Sequence, residues 1–288
     1  MKGTYVGRLV RTGARLLEEA VRGFLRDHCT HSSAALAFYG MFSGFPLLLL
    51  SVILSTLVLD PGQAAGRVQE VLTEYVPAGS DLVERGISGA VQAGGATLGV
   101  SVLALLWSGT RVFAHLTRAL NDAWGVEHNY AIRTRILLEP LLVGLTVALI
   151  AAAILYDHLA TRLWARLTGS PALPESGIWD LLGEGAIKLL GLLIVLAMYR
   201  YLPRRRVGWR DALPGAVLAA VLFQLVQEGF ELYVQRYDER YSEVYGPLSS
   251  IAVVLLWAYV SAAIFLFGAE FSAAYRNLRT RRCTPDAA

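Results

Sequence analysis

Long stretches of this chain carry no acidic or basic side chain, and nothing else constrains its fold as strongly. Ala34 to Leu59 is one such run, and Gly86 to Thr110 and Gly246 to Ala269 are two more. A hydrocarbon core about 30 Å thick is crossed by roughly 20 apolar residues of helix. Each run is long enough. Charged side chains make up 17% of the chain and hydrophobic ones 55%, against about 25% charge in an ordinary soluble domain. The solvent for most of these 288 residues is therefore lipid. A backbone in lipid must satisfy its own hydrogen bonds, and runs of this length do so as helices. The expected fold is an all-α polytopic membrane bundle.

Six transmembrane helices are expected within a membrane domain covering 31–275, at about 34–59, 94–113, 138–160, 181–201, 212–233 and 246–270. Pro46 falls inside the first, where it removes a backbone hydrogen bond and is expected to kink the helix. Residues 63–92 carry charge at helical spacing, broken at Val76-Pro77-Ala78-Gly79, and predict an extramembrane, periplasmic helical hairpin. The second span is expected to continue as an amphipathic helix to Trp124. Leu167 to Gly177 reads as a loop. Glu184 and Lys188 fall in the fourth span, four residues apart and on one face, positioned to pair.

Residues 1–30 predict an amphipathic helix on the membrane surface. Val6, Leu9, Val10, Leu17, Val21 and Phe24 recur at near-helical spacing, with Arg8, Arg11, Arg15, Arg22 and Arg26 available to anionic headgroups. A solvated basic leader is the alternative. No apolar segment precedes Ala34, so the first span is expected to act as its own insertion signal. Residues 276–288 form a basic tail.

Lysine and arginine concentrate on the cytoplasmic side of a membrane. With six spans and a cytoplasmic N-terminus, 19 of the 26 basic residues fall on that side. Both termini are then cytoplasmic. Cys29 and Cys283 lie at the reducing face, without metal spacing, and are expected to be unpaired thiols.

Ionisable groups at membrane depth are costly and mark candidate sites. Arg111 lies near the inner end of the second span and Glu270 at the inner end of the sixth. They form an anion-binding or gating pair, or else a headgroup-seeking arginine and a structural salt bridge. Glu228 and Glu231 lie near the outer half of the fifth span, before Tyr233, Tyr237, Tyr241 and Tyr245. These acids either face the bundle interior or stand solvated beside an interfacial aromatic belt. Asn121, before Gly125, is a gating candidate or an ordinary helix-end residue. Arg204, Arg205, Arg206 and Arg210 bind acidic headgroups or only set topology. Gly215, Ala216, Ala219 and Ala220 give the fifth span a small-residue face suited to close helix contact.

Several chemistries find no motif. The histidines, at 28, 31, 115, 128 and 158, make no H-x-H or H-E-x-x-H arrangement, which argues against a hydrolytic zinc site. There is no G-x-x-x-x-G-K-[ST] phosphate loop and no G-x-S-x-G elbow. The basic segments are short and lack an aromatic platform for nucleic acid. The expectation is a chain that is not an enzyme, with no catalytic residue, metal, cofactor or nucleic-acid partner.

A set of motifs in order points further. His31-Ser32-Ser33-Ala34-Ala35-Leu36-Ala37-Phe38-Tyr39 leads to Phe42-Ser43-Gly44-Phe45-Pro46-Leu47. Trp107-Ser108-Gly109-Thr110-Arg111 and Arg118-Ala119-Leu120-Asn121 follow. Later come Gly208-Trp209, Leu213-Pro214-Gly215-Ala216, Val244-Tyr245-Gly246, Leu256-Trp257 and Gly268-Ala269-Glu270. From about residue 25 to 275 the chain resembles the YihY/BrkB family of bacterial inner-membrane proteins. The resemblance implies six spans and an inner-membrane location. That family has carried ribonuclease BN, virulence-factor and transporter labels, and the first finds no support in these residues.

The expected function is a transporter or translocator of an amphipathic anionic molecule, a lipid among the candidates. The alternative is a non-transporting organiser or assembly factor of the envelope, acting through the 63–92 hairpin. Expected partners are membrane lipids, with other envelope proteins or further copies of the chain as candidates.

Overall fold

The computed structural model describes residues 3–55, 80–126, 177–245 and 248–283. The described residues are helical, with no strand among them. The helices are α1 Gly3–Arg26, α2 Cys29–Ser55, α3 Ser80–Ala123, α4 Gly177–Tyr201, α5 Trp209–Tyr245 and α6 Leu248–Cys283. Trp209–Phe230 of α5 and Ile251–Thr280 of α6 are long and apolar enough to cross a membrane. The expected third span, the 167–177 loop up to α4, and the first arm and break of the 63–92 hairpin lie outside the described residues.

Two helices run further than expected. Residues 80–92 do not end in a separate hairpin arm but continue into the second span as α3, one helix of 44 residues. At 1.5 Å per residue it is about 66 Å long, roughly twice the hydrocarbon core. α6 continues beyond residue 270 through Arg276 and Arg279, so much of the expected basic tail is helical. Pro46 lies inside α2, and the helix continues on both sides of it.

Lipid tails are as apolar as leucine, so helices in a bilayer associate through close packing rather than exclusion of water. The α4, α5 and α6 contact shows how. Gly215 of α5 lies so close to Gly268 of α6 that an added side-chain carbon would strike the Gly268 carbonyl and the Ser272 hydroxyl. Ala212, Ala216 and Ala219 extend the same buried face, as their helical spacing requires. Tyr199 of α4 fills the remaining corner, fully buried, and donates to the Phe265 carbonyl at 2.5 Å. Ser272 donates to the Ala212 carbonyl at 3.1 Å. α2 packs chiefly on α3, and both meet α6.

α1 lies against α6 through its small residues. Ala20 and Gly23 are buried there, and Phe24 meets Phe267 edge-on at 6.1 Å. Leu17, Val21 and Leu25, one turn apart, stay exposed along another flank. The chain then turns sharply. His28 takes a φ of 50°, and its carbonyl accepts from the His31 and Ser32 amides at 3.0 and 3.2 Å, which starts α2.

Candidate functional site

The arginine-bearing segments meet at one end of the bundle. α3 stops there because Gly125 adopts a left-handed φ of 62°, which glycine takes at no steric cost. The Gly125 amide bonds the Asp122 carbonyl and the Val126 amide the Asn121 carbonyl, both at 2.9 Å, the pairing that closes a Schellman end. The buried Asn121 side chain accepts from the Arg204 amide at 2.9 Å through Oδ1, so the residue ties the 202–208 loop to the end of α3. Arg200 donates to the Val207 carbonyl at 2.8 Å and lays its guanidinium over the Trp209 ring, 4.5 Å from the centroid. Leu202, Pro203 and Val207 are buried beneath the loop, which leaves Arg204, Arg205, Arg206 and Arg210 exposed. Arg279 pairs with Asp211 at 3.1 Å, and Arg276 lies 5.9 Å over Trp124.

A cavity of about 340 Å³ opens at this end between α1 and α6. Gly23, Ala123, Ala273 and Ala274 form its small-residue walls, and Glu19, Arg22, Arg26, Glu270 and Asn277 supply its polar groups. Glu270 is 3% exposed. One carboxylate oxygen accepts from the Cys29 thiol at 3.6 Å, and the other lies against Gly23. The free Cys29 thiol is pushed above its ordinary range, first by burial and then by the Glu270 charge. On the rim, Arg26 grips Asp27 with two hydrogen bonds of 2.8 and 3.0 Å, and Arg22 holds Glu18 at 2.6 Å.

Arg111 and Glu270 do not pair. Glu270 turns to α1 and Cys29, while Arg111 is exposed on α3, one turn from Trp107 and one from His115. Tyr39 of α2 stacks on His115 at 5.2 Å and meets Trp107 at 6.5 Å. Phe38 and Phe42 extend this aromatic row along α2. Glu228 is exposed on α5, and Glu231 lies three residues on in the same helix. The sequence reading missed Gly23 and Cys29 as partners of Glu270. The signal available was Ala20 and Gly23, small residues three apart and so on one face of α1.

Comparisons with known proteins agree with one another. A family model described as virulence factor BrkB matches residues 20–288. A UPF0761 membrane protein of Nitrosospira multiformis is 31% identical over 281 residues, covering 91% of this chain and 61% of that protein. The ribonuclease-like protein YfkH of Bacillus subtilis is 28% identical over 263 residues, covering 88% of this chain and 91% of YfkH. A UPF0761 membrane protein of Alkalilimnicola ehrlichii is 29% identical and 58% covered. The chain thus spans about three fifths of the two UPF0761 relatives. No solved structure matches it. With the virulence factor BrkB model aligned to nearly all of its length, this chain belongs to the BrkB family.

Proposed function

We propose that this chain is a six-span, multi-pass protein of the bacterial inner membrane that moves an amphipathic anionic molecule, a lipid among the candidates, across it. Arg111 carries the proposal. It is exposed, has no acidic partner among the described residues, and continues an exposed apolar line, with Leu103 69% and Trp107 58% accessible on α3. Phe38 and Phe42, both exposed, run beside that line on α2. An ionised side chain at membrane depth needs a partner to offset its cost. A guanidinium at the end of an apolar surface suits a ligand with an acidic head and an apolar body, because it binds phosphate or carboxylate through two parallel hydrogen bonds. The arginines gathered at one end of the bundle support placing that end, and both termini, in the cytoplasm. Proteoliposomes carrying the protein test the proposal: it requires protein-dependent movement of a labelled anionic lipid that Arg111→Ala weakens.

A second function, an envelope organiser with no transport step, is favoured by α3. A helix of about 66 Å outreaches the bilayer and offers a surface to another envelope protein. Deleting 63–92 then abolishes the cellular role, while the intact protein moves no lipid.

A further inference from the structure

We infer that the cavity between α1 and α6 binds a phosphoethanolamine-type head, an ammonium two carbons from a phosphate. The cavity measures about 340 Å³ and presents Glu19 and Glu270, Arg22 and Arg26, and the amide of Asn277. That volume falls in the range of small-molecule sites. Its charges are of both signs, and so is the ligand. A purely anionic head would meet the Glu270 carboxylate, and a simple cation would leave both guanidiniums unused.

Glu270 is 3% exposed and faces the Cys29 thiol at 3.6 Å and the carboxyl of Asp27. A thiol is a weak donor, whereas an ammonium brings three charge-assisted ones. Arg26 stays with Asp27, whose side chain is only 13% accessible, and adds its charge to the rim, whereas Arg22 and Glu18 form a pair 77% and 58% accessible. A solvated pair of this kind contributes little, so the Arg22 guanidinium can exchange Glu18 for phosphate oxygens at the rim. The head then spans the cavity, ammonium inward and phosphate outward. The site is separate from Arg111 and is defined by binding alone, so it stands or falls independently of translocation.

The test is calorimetric titration of the purified full-length protein in detergent with dioctanoyl phosphatidylethanolamine, dioctanoyl phosphatidylglycerol and water-soluble glycerophosphoethanolamine. The ethanolamine lipid is expected to bind about tenfold more tightly than the glycerol lipid, the difference of one charge-assisted contact. Glu270→Gln should erase that preference. Arg22→Ala, at a side chain 77% accessible and held in a solvated pair with Glu18, should keep the fold and weaken the ethanolamine lipid by about tenfold. Glycerophosphoethanolamine binding as tightly as the lipid identifies a soluble ligand, and binding by the acylated form alone identifies a lipid headgroup. Equal affinity for the two lipids, or an Arg22→Ala protein with unchanged affinity, overturns the inference.

Discussion

Glu270 and Gly23 occupy adjoining space so closely that the Oε2 of the carboxylate stands where a side chain on Gly23 would begin. A Cβ at residue 23 would have to push that carboxylate aside or lift α1 away from it. Gly23→Ala should therefore undock α1 from α6, at a cost of about 1–3 kcal/mol, as overpacking usually brings. Limited trypsin digestion checks this, with faster cleavage expected between Arg15 and Arg26 in the variant. Gly13→Ala is the control, because nothing lies within 4 Å of its added carbon.

The Gly215–Gly268 contact should be the least forgiving point of the bundle. A methyl group at residue 215 meets the backbone carbonyl of Gly268, which cannot rotate away as a side chain can. Gly215→Ala is expected to destabilise the protein by on the order of 3 kcal/mol. Gly191→Ala, in open space on α4, should be neutral or stabilising by about 0.5–1 kcal/mol through helix propensity. Thermal unfolding in detergent separates the two.

Asn121 should act through the loop it holds. Asn121→Ala removes the acceptor of the partly buried Arg204 amide, and losing such a hydrogen bond costs about 1 kcal/mol. The expected result is faster hydrogen exchange at residues 202–208, with α3 itself still protected.

The Cys29 thiol should resist alkylation. The thiolate is the reactive form, and burial together with the Glu270 charge makes it scarce by raising the pKa. In a Cys283→Ser background at pH 8, iodoacetamide should label the folded protein roughly tenfold more slowly than the protein unfolded in detergent. The folded rate should rise with pH.

Much of the fold was legible in the sequence because lipid imposes a simple rule. Charge-free runs longer than about 20 residues become helices, and α2, the 86–110 stretch of α3 and α6 follow from that rule. The small-residue face at Gly215, Ala216 and Ala219 was also legible, since close packing in a bilayer selects small side chains at helical spacing. The joining of 80–92 to the second span was not. Arg85 and the surrounding polar residues break the apolar pattern without breaking the helix, because composition marks where lipid ends and not where the backbone turns. The partner of Glu270 was not legible either. Arg111 and Glu270 share a depth, but depth along a bundle leaves open which helices face each other. Cys29 and Gly23, which do touch Glu270, lie more than 240 residues away in the chain.

The most direct test of the account is lipid movement in proteoliposomes carrying the wild type, Arg111→Ala or Arg111→Lys, read with a fluorescent anionic lipid. Movement by the wild type is expected, with a loss of about tenfold in Arg111→Ala for one charge-assisted contact and partial recovery in Arg111→Lys. Wild-type protein that folds and moves no lipid, or Arg111→Ala moving it at the wild-type rate, would contradict it.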